Sequence, residues 1–248
     1  MSTKKLVSII IIFSFGFFLL GINLNKFQYL IQVIRADHVK TSWQDQMWID
    51  KIRKGGYILH IRHYTRDTQR GVQIHDIIEL LESKNARDES FGNYTCLNPI
   101  GIEEAKTVGK ILARSDIKFS KVISSPSCRA KESALLAFGR VDETWNSLLH
   151  RPSIPPRQYE QFAQQLKKEI EKLNPINGSN IVLVGHGGTL SYNQDILFES
   201  NTYENRIDTR DMGGVVVMEL SKNKKLNAVY VFTDVSNFAQ SILDLPVK

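Results

Sequence analysis

The sequence is poor in cysteine, with two in 248 residues, and poor in proline, with seven. Two cysteines exclude a disulfide-dense scaffold. No Cys or His spacing of a metal-binding type is present. Repeats and low-complexity tracts are also lacking, which excludes collagen-like and solenoid chains. There is no large excess of one charge either: 32 Lys and Arg face 26 Asp and Glu, a net +6. That balance suits an anionic substrate but is too weak to indicate nucleic acid, and no nucleic-acid motif accompanies it. One lack is local: no acid lies between Met1 and Asn25. What is present is an ordinary globular balance, 42% hydrophobic and 23% charged. It is enough for one domain of roughly 200 residues with a full core, plus an appendage.

The appendage is the uncharged run from Leu6 to Asn25, 20 residues, the length of a bilayer-spanning helix. Lys4 and Lys5 precede it. Asn23, Leu24, Asn25, Lys26 and Phe27 show no small-residue cleavage pattern. The expectation is an uncleaved signal-anchor helix over residues 1–25, with a cleaved signal and a secreted protein as the alternative. The positive-inside rule holds Lys4 and Lys5 in the cytoplasm, although Lys26 and Arg35 soften the contrast. The rest then faces the outside, which is the periplasm in a Gram-negative cell. Residues 26–54 read as a juxtamembrane segment whose Phe27, Tyr29, Trp43 and Trp48 sit at the lipid interface or pack on the domain. The domain itself is expected over residues 55–248, opening at Gly55-Gly56. Cys96 and Cys128 either pair in an oxidising compartment or remain free thiols. Asn93-Tyr-Thr and Asn177-Gly-Ser fit glycosylation sequons, which matter only in a eukaryote.

Along the domain, strands and helices alternate. Strands are expected at 57–63, 121–125, 180–184, 215–220 and 228–232. Helices are expected at 101–114, 129–138, 157–173 and 190–198, with a short one at 75–83 inside a polar stretch, 64–95. In the 157–173 helix, Tyr159, Phe162, Leu166, Ile170 and Leu173 recur at helical spacing. The run Asn180–Val184 is nearly all apolar, as in a sheet covered on both faces. The predicted class is α/β: a three-layer α/β/α sandwich with a mostly parallel central sheet, preceded by a transmembrane helix.

Three of these strands end in chemistry-bearing residues. The first ends in Arg62-His63. The second runs into Ser124-Ser125-Pro126-Ser127-Cys128-Arg129-Ala130. The third ends in Gly185-His186-Gly187-Gly188. Ligands of open α/β sheets bind at the carboxyl ends of strands, so two arginines and two histidines converge on one place. Each signal is weak alone; their order and context carry the inference.

That combination resembles the histidine phosphatase superfamily, which includes phosphoglycerate mutases and phytase-like acid phosphatases. The matching stretches are Ile58 to His63, Leu97 to Ala105, Ser124 to Ala130 and Val184 to Gly188. They look like the family's strand-RHG, L-x-x-x-G-x-x-(Q/E)-A, SSP-x-x-R-A and (S/G)-H-G-G segments, in order, across about residues 55–235. In size, and in the Cys96-Leu97 pair, the chain looks like small extracytoplasmic members such as the phosphatase acting on lipopolysaccharide-core heptose phosphate. The resemblance implies a phosphoric monoester hydrolase with no metal and no cofactor. His63 attacks phosphorus to give a phosphohistidine, and water then releases phosphate. Arg62 and Arg129 keep His63 unprotonated. Arg62, Arg129 and a cationic His186 neutralise the transferred phosphoryl. The implied partner is a phosphorylated small molecule or a phospho-group on a cell-envelope component.

The chain also departs from the pattern. Tyr64 stands where the motif has a small residue, and is expected to narrow the pocket, cover the nucleophile or contact substrate. Arg66 falls where the acid-phosphatase branch places a further phosphate-binding arginine; a solvated loop charge is the alternative. Gly187 replaces that branch's acidic proton donor. His150 stands near the place of the mutase branch's glutamate, with Asp142 and Glu143 upstream. The general acid is therefore open among Glu143, Asp142, His150 and Asp67. The expected function is an anchored extracytoplasmic phosphatase. The alternative is a pseudophosphatase that binds a phosphorylated ligand without turnover. The 64–95 stretch is expected to act as a lid or specificity loop.

Overall fold

A computed structural model describes residues 41–67, 96–150, 154, 156–198 and 211–244. The Leu6–Asn25 run, the 75–83 helix and most of the 64–95 stretch lie outside the described residues. Among the described residues, no helix is long and apolar enough to cross a membrane.

The first described helix, α1 (Trp43–Lys54), begins at a capping box. The Ser42 hydroxyl accepts from the Asp45 amide at 3.0 Å, and Asp45 Oδ2 accepts from the Ser42 amide at 2.8 Å. Its inner face buries Trp48, Ile49 and Ile52. Trp48 stacks on Tyr230 at 5.4 Å, and the Tyr230 hydroxyl donates to Asp45 at 2.8 Å. The folded unit runs from Thr41, because the apolar stripe of α1 has a core to cover. Of the two tryptophans assigned to this segment, Trp48 is inside and Trp43 is exposed.

The remaining elements follow in order: β1 (Ile58–Arg62), α2 (Pro99–Arg114), β2 (Phe119–Ser124), α3 (Cys128–Phe138), β3 (Glu143–Thr144), α4 (Tyr159–Glu171), β4 (Asn180–Gly185), α5 (Gly188–Ser191), α6 (Gln194–Leu197), β5 (Val215–Leu220), β6 (Leu226–Phe232) and α7 (Val235–Leu243). Short 3-10 turns cover Asn146–Leu148 and Pro156–Gln158. The six strands lie in the order β3-β2-β4-β1-β5-β6. The ladders from β3 through β1 are parallel, and the two that involve β5 are antiparallel. The sheet is therefore mixed, with β5 alone reversed.

Alternation along the central strands sends side chains to opposite faces. Leu59, Ile61, Val122, Val182, Val184, Val215 and Val217 meet α1, α2, α3 and α7 on one face. Ile58, Ile123, Ile181, Leu183, Val216 and Met218 meet α4 and the short α5 and α6 on the other. These two apolar layers make the sandwich. The expected 190–198 helix is broken into α5 and α6. Asn193 lies between them in a non-helical conformation, with its side-chain amide donating to the Thr189 carbonyl at 2.8 Å. In α4 the buried face is Ala163, Leu166 and Ile170. Tyr159 and Phe162 are only half-buried.

Register levels the strand ends. Arg62 pairs with Gly185, and Ser124 pairs with Val184. Beyond the last pairs, the His63 amide donates to the Gly185 carbonyl at 3.0 Å, and the Ser125 amide donates to the Val184 carbonyl at 2.8 Å. The three motif segments therefore emerge side by side. Gly101 secures the loop after β1: a Cβ there would lie 2.0 Å from the Thr65 carbonyl oxygen, so only glycine lets α2 approach.

Candidate active site

A cavity of about 310 Å³ opens over the ends of β1, β2 and β4. Its lining includes Arg62, His63, Arg66, Arg129, His150 and His186, completed by Gly187, Gly188, Ser191 and Tyr192. That size is at the low end for small-molecule sites.

His63 is 3% exposed. Its Nδ1 lies 2.8 Å from the backbone carbonyl oxygen of Tyr64. A carbonyl only accepts, so Nδ1 carries the proton and Nε2 keeps its lone pair. Burial holds the His63 pKa well below 6.5. The Arg129 guanidinium reinforces this, followed by Arg62 and Arg66. The imidazole is therefore an unprotonated base at neutral pH, the state a nucleophile requires.

His186 is 1% exposed, with its ring 5.3 Å from that of His63. Arg129 Nη2 approaches its Nδ1 at 3.2 Å, and the Ser125 and Ser127 hydroxyls stand 3.1 and 3.3 Å from its Nε2. Guanidinium only donates, so Nδ1 accepts and Nε2 carries the proton. Burial and then Arg129 keep the His186 pKa well below 6.5. The expected cationic His186 would need a proton on Nδ1, the nitrogen that faces the Arg129 guanidinium here.

Arg129 is 3% exposed. It is held where α3 begins, with Cys128 before it joined to Cys96 in a disulfide. The pairing left open in the sequence is therefore made. The loop after His63 is tied down as well. The Tyr64 amide donates to the Ser133 hydroxyl at 3.0 Å, and that hydroxyl donates to the Arg129 carbonyl at 2.7 Å. Glu104, on α2, accepts the Thr65 amide at 3.0 Å, and burial raises its pKa. Cys96, Cys128 and Glu132 cluster within 4.8 Å, but sulfurs joined to each other are not thiolate ligands.

No protein-family model matches the chain, and neither does any curated protein sequence. Solved structures with similar chain courses include YhfR from Bacillus stearothermophilus: 16% identity, 73% of this chain and 98% of that one covered, TM-score 0.46. A phosphoserine phosphatase from Entamoeba histolytica, in complex with phosphoserine, gives 15%, 75% and 98%, with TM-score 0.42. The protein histidine phosphatase SixA, complexed with tungstate, gives 13%, 71% and 95%, with TM-score 0.40.

Of the residues singled out in the sequence, Arg62, His63, Arg66, Arg129, His150 and His186 share the cavity. Four do not. Tyr64 is 1% exposed and belongs to the apolar layer below. Its ring lies against Gly213, where a Cβ would come within 3.1 Å of it. It neither covers His63 nor lines the pocket, because the chain turns its side chain inward and its carbonyl toward His63. Asp142 is bound to the Val122 amide at 2.7 Å and Arg140 at 3.0 Å. Glu143 is bound to Lys121 and to Trp145 Nε1. Both sit at the β3 edge, outside the cavity lining, and these partners lower both pKa values. Asp67 presents its backbone carbonyl to Arg66 Nη1 at 2.7 Å and does not line the cavity.

The sequence did not single out Ser125, Ser127, Ser133, Ser191 or Tyr192. Serines within the quoted Ser124–Ala130 stretch were the available signal. Tyr192 had none beyond its place six residues after His186. Its ring lies over Gly188, where a Cβ would be 2.4 Å from it.

Proposed function

We propose that the site hydrolyses a phosphate monoester through a phosphohistidine on His63. The observation that carries this is the single hydrogen bond from His63 Nδ1 to the Tyr64 carbonyl. It leaves the Nε2 lone pair at a cavity that three arginines line. Arginine forks bind phosphate oxygens bidentately, and Arg62 and Arg129 receive the charge of the transferred phosphoryl. The neutral Nε2–H of His186 donates to one of those oxygens, exchanging its serine contacts for the substrate. Of the four acid candidates, His150 alone lines the cavity, so it is the proton donor proposed for the leaving group. Both half-reactions use these side chains. The chemistry is that of the histidine phosphatases, the superfamily the motifs resemble.

We further propose that the Leu6–Asn25 run anchors the protein and that the catalytic unit faces an oxidising, extracytoplasmic space. The Cys96–Cys128 disulfide supports this, since such bonds persist outside reducing compartments. The pseudophosphatase reading loses one of its two supports, because Tyr64 does not obstruct the nucleophile.

The test is turnover of p-nitrophenyl phosphate by the full chain. Rapid acid-free quenching should trap a base-stable, acid-labile phosphoprotein. His63→Ala should show neither. A wild-type chain that is folded, releases nitrophenol and forms no phosphoenzyme would overturn the covalent route.

A further inference from the structure

Among the described residues, the cavity lining divides by chemistry. Its guanidinium and imidazole side chains come from several parts of the chain. The uncharged remainder, Gly187, Gly188, Ser191 and Tyr192, comes from the one segment that follows His186 and forms α5. A phosphate monoester divides in the same way, into a charged phosphoryl and an uncharged leaving group. Within the uncharged wall, two residues are glycines, and Tyr192 is the one large side chain.

Tyr192 is 58% exposed, and yet its ring is held in place. One edge rests on Gly188, where a Cβ would lie 2.4 Å from Cε2 and 2.5 Å from Cδ2. Gly188 lies in ordinary helical backbone, so what its missing Cβ provides is room for this ring. The segment beneath is pinned to His186. The His186 amide donates to Thr189 Oγ1 at 3.3 Å, and the Thr189 amide donates to the His186 carbonyl at 3.0 Å. The Tyr192 amide donates to the Gly188 carbonyl at 3.2 Å. Leu190 is buried in the apolar layer below. The break between α5 and α6 therefore leaves Tyr192 at the end of α5, as a fixed aromatic ring on the cavity wall with more than half of its surface open.

Resting on the phosphatase reading above, we infer that Tyr192 determines specificity, and that the substrate is a monoester whose leaving group carries a flat aromatic ring beside the ester oxygen. That ring stacks on Tyr192 while the phosphoryl group meets the arginines and His63. The cavity, at about 310 Å³, admits a phosphoryl group and one ring next to it. Stacked aromatic rings attract each other beyond the area they bury. A platform already fixed by Gly188 and the turn loses little freedom when the ring arrives, so more of that attraction appears as binding.

The experiment compares benzyl phosphate with hexyl phosphate on the full chain. Both are esters of primary alcohols, so the leaving groups are matched and the ring is the difference. The expected kcat/KM is about fivefold higher for benzyl phosphate, the scale of one stacked pair. Tyr192→Ala and the bulkier Tyr192→Leu should bring that ratio toward one, and Tyr192→Phe should keep it. A variant that merely loosened the fold would slow both esters alike and leave the ratio where it was. Parallel arms with phosphotyrosine and a phosphotyrosine peptide separate a small-molecule source from a protein source, and a loss in Tyr192→Ala with either supports the inference. A wild-type ratio near one, with both esters turned over, overturns the inference and leaves the phosphatase reading standing. A ratio that Tyr192→Ala and Tyr192→Leu leave intact, or that Tyr192→Phe abolishes, overturns the stacking role of the ring. No turnover of any compound and no phosphoenzyme removes both readings together.

Discussion

His63 Nδ1 and the carbonyl oxygen of Tyr64 lie 2.8 Å apart, and this contact selects the tautomer of the His63 imidazole. The bond is to backbone, so no side-chain substitution at residue 64 removes the acceptor. The phosphoryl group is therefore expected on Nε2. Phosphorus–nitrogen coupling in NMR of the trapped, 15N-labelled phosphoenzyme distinguishes the two nitrogens. Phosphorylation on Nδ1 would show that the ring turns over in the reaction and that this contact does not govern it.

The depressed pKa of His63 has a consequence for rate. An imidazole with its ordinary pKa of about 6.5 would lose half its nucleophilic form at that pH. Here the unprotonated form persists below it. With p-nitrophenyl phosphate as probe, kcat/KM should not show an enzyme-borne loss between pH 7.5 and 6.5. Arg129→Ala removes the second-largest cause of the depression. His63 and His186 should both titrate at higher pH in that variant, as read from their ring 15N shifts. Unmoved shifts would remove Arg129 as the cause.

Tyr64 belongs to stability rather than access. Tyr64→Ala empties a fully buried ring site and should cost about 3–5 kcal/mol in urea unfolding. It should not raise turnover. Higher activity with stability retained would return Tyr64 to the pocket.

The Cys96–Cys128 bond closes a loop with a sequence separation of 32. Chain entropy then predicts a loss of roughly 3–4 kcal/mol on reduction. The anchor points are the segment before α2 and the first residue of α3, so Arg129 loses a constraint at the same moment. Dithiothreitol should lower both Tm and kcat. Cys96→Ser, Cys128→Ser and the double variant should be equally destabilised, and inequality between them would indicate that each cysteine acts separately.

His60 lies within β1 at 1% exposure, and neither ring nitrogen has a hydrogen-bond partner. Burial brings its pKa down to about 4. The unfolded chain therefore binds the proton first as pH falls. The stability associated with neutral His60 is present above 6.5 and is lost as pH drops from 6.5 toward 4, by on the order of 3 kcal/mol. His60→Leu should flatten this part of the pH–stability curve. It should also hold or raise the midpoint at pH 7.5, since it removes unpaired polar atoms. An unchanged acid slope would count against this assignment.

The site was legible where chemistry coincides with strand ends. Arg62, His63, Arg129 and His186 sit at apolar runs or helix starts whose boundaries local sequence encodes. Sheet register then makes them level. The fate of Tyr64 was not legible, because residue type says nothing about which side of a turn a side chain takes. Asp142 and Glu143 are acids of the right kind near the right helix. Only their contacts with the Val122 amide and Lys121 place them at the sheet edge. The same holds for α1. Its buried stripe of Trp48, Ile49 and Ile52 fits a lipid interface as well as a protein core, and the stacking on Tyr230 decides between them.

Sequence alone determined the α/β class, the identity of four residues that share the cavity, Arg62, His63, Arg129 and His186, and the uncharged run from Leu6 to Asn25. These follow from local periodicity and side-chain chemistry, which neighbouring residues carry. Tertiary structure decided the hydrogen-bond partners of His63 and His186, the pairing of Cys96 with Cys128, and the placement of His150 in the cavity lining, where Asp67, Asp142 and Glu143 do not appear. Each of those depends on distances between residues far apart in the chain. Proton positions, bond formation and electrostatic coupling are set by such distances, and the order of residues does not encode them directly.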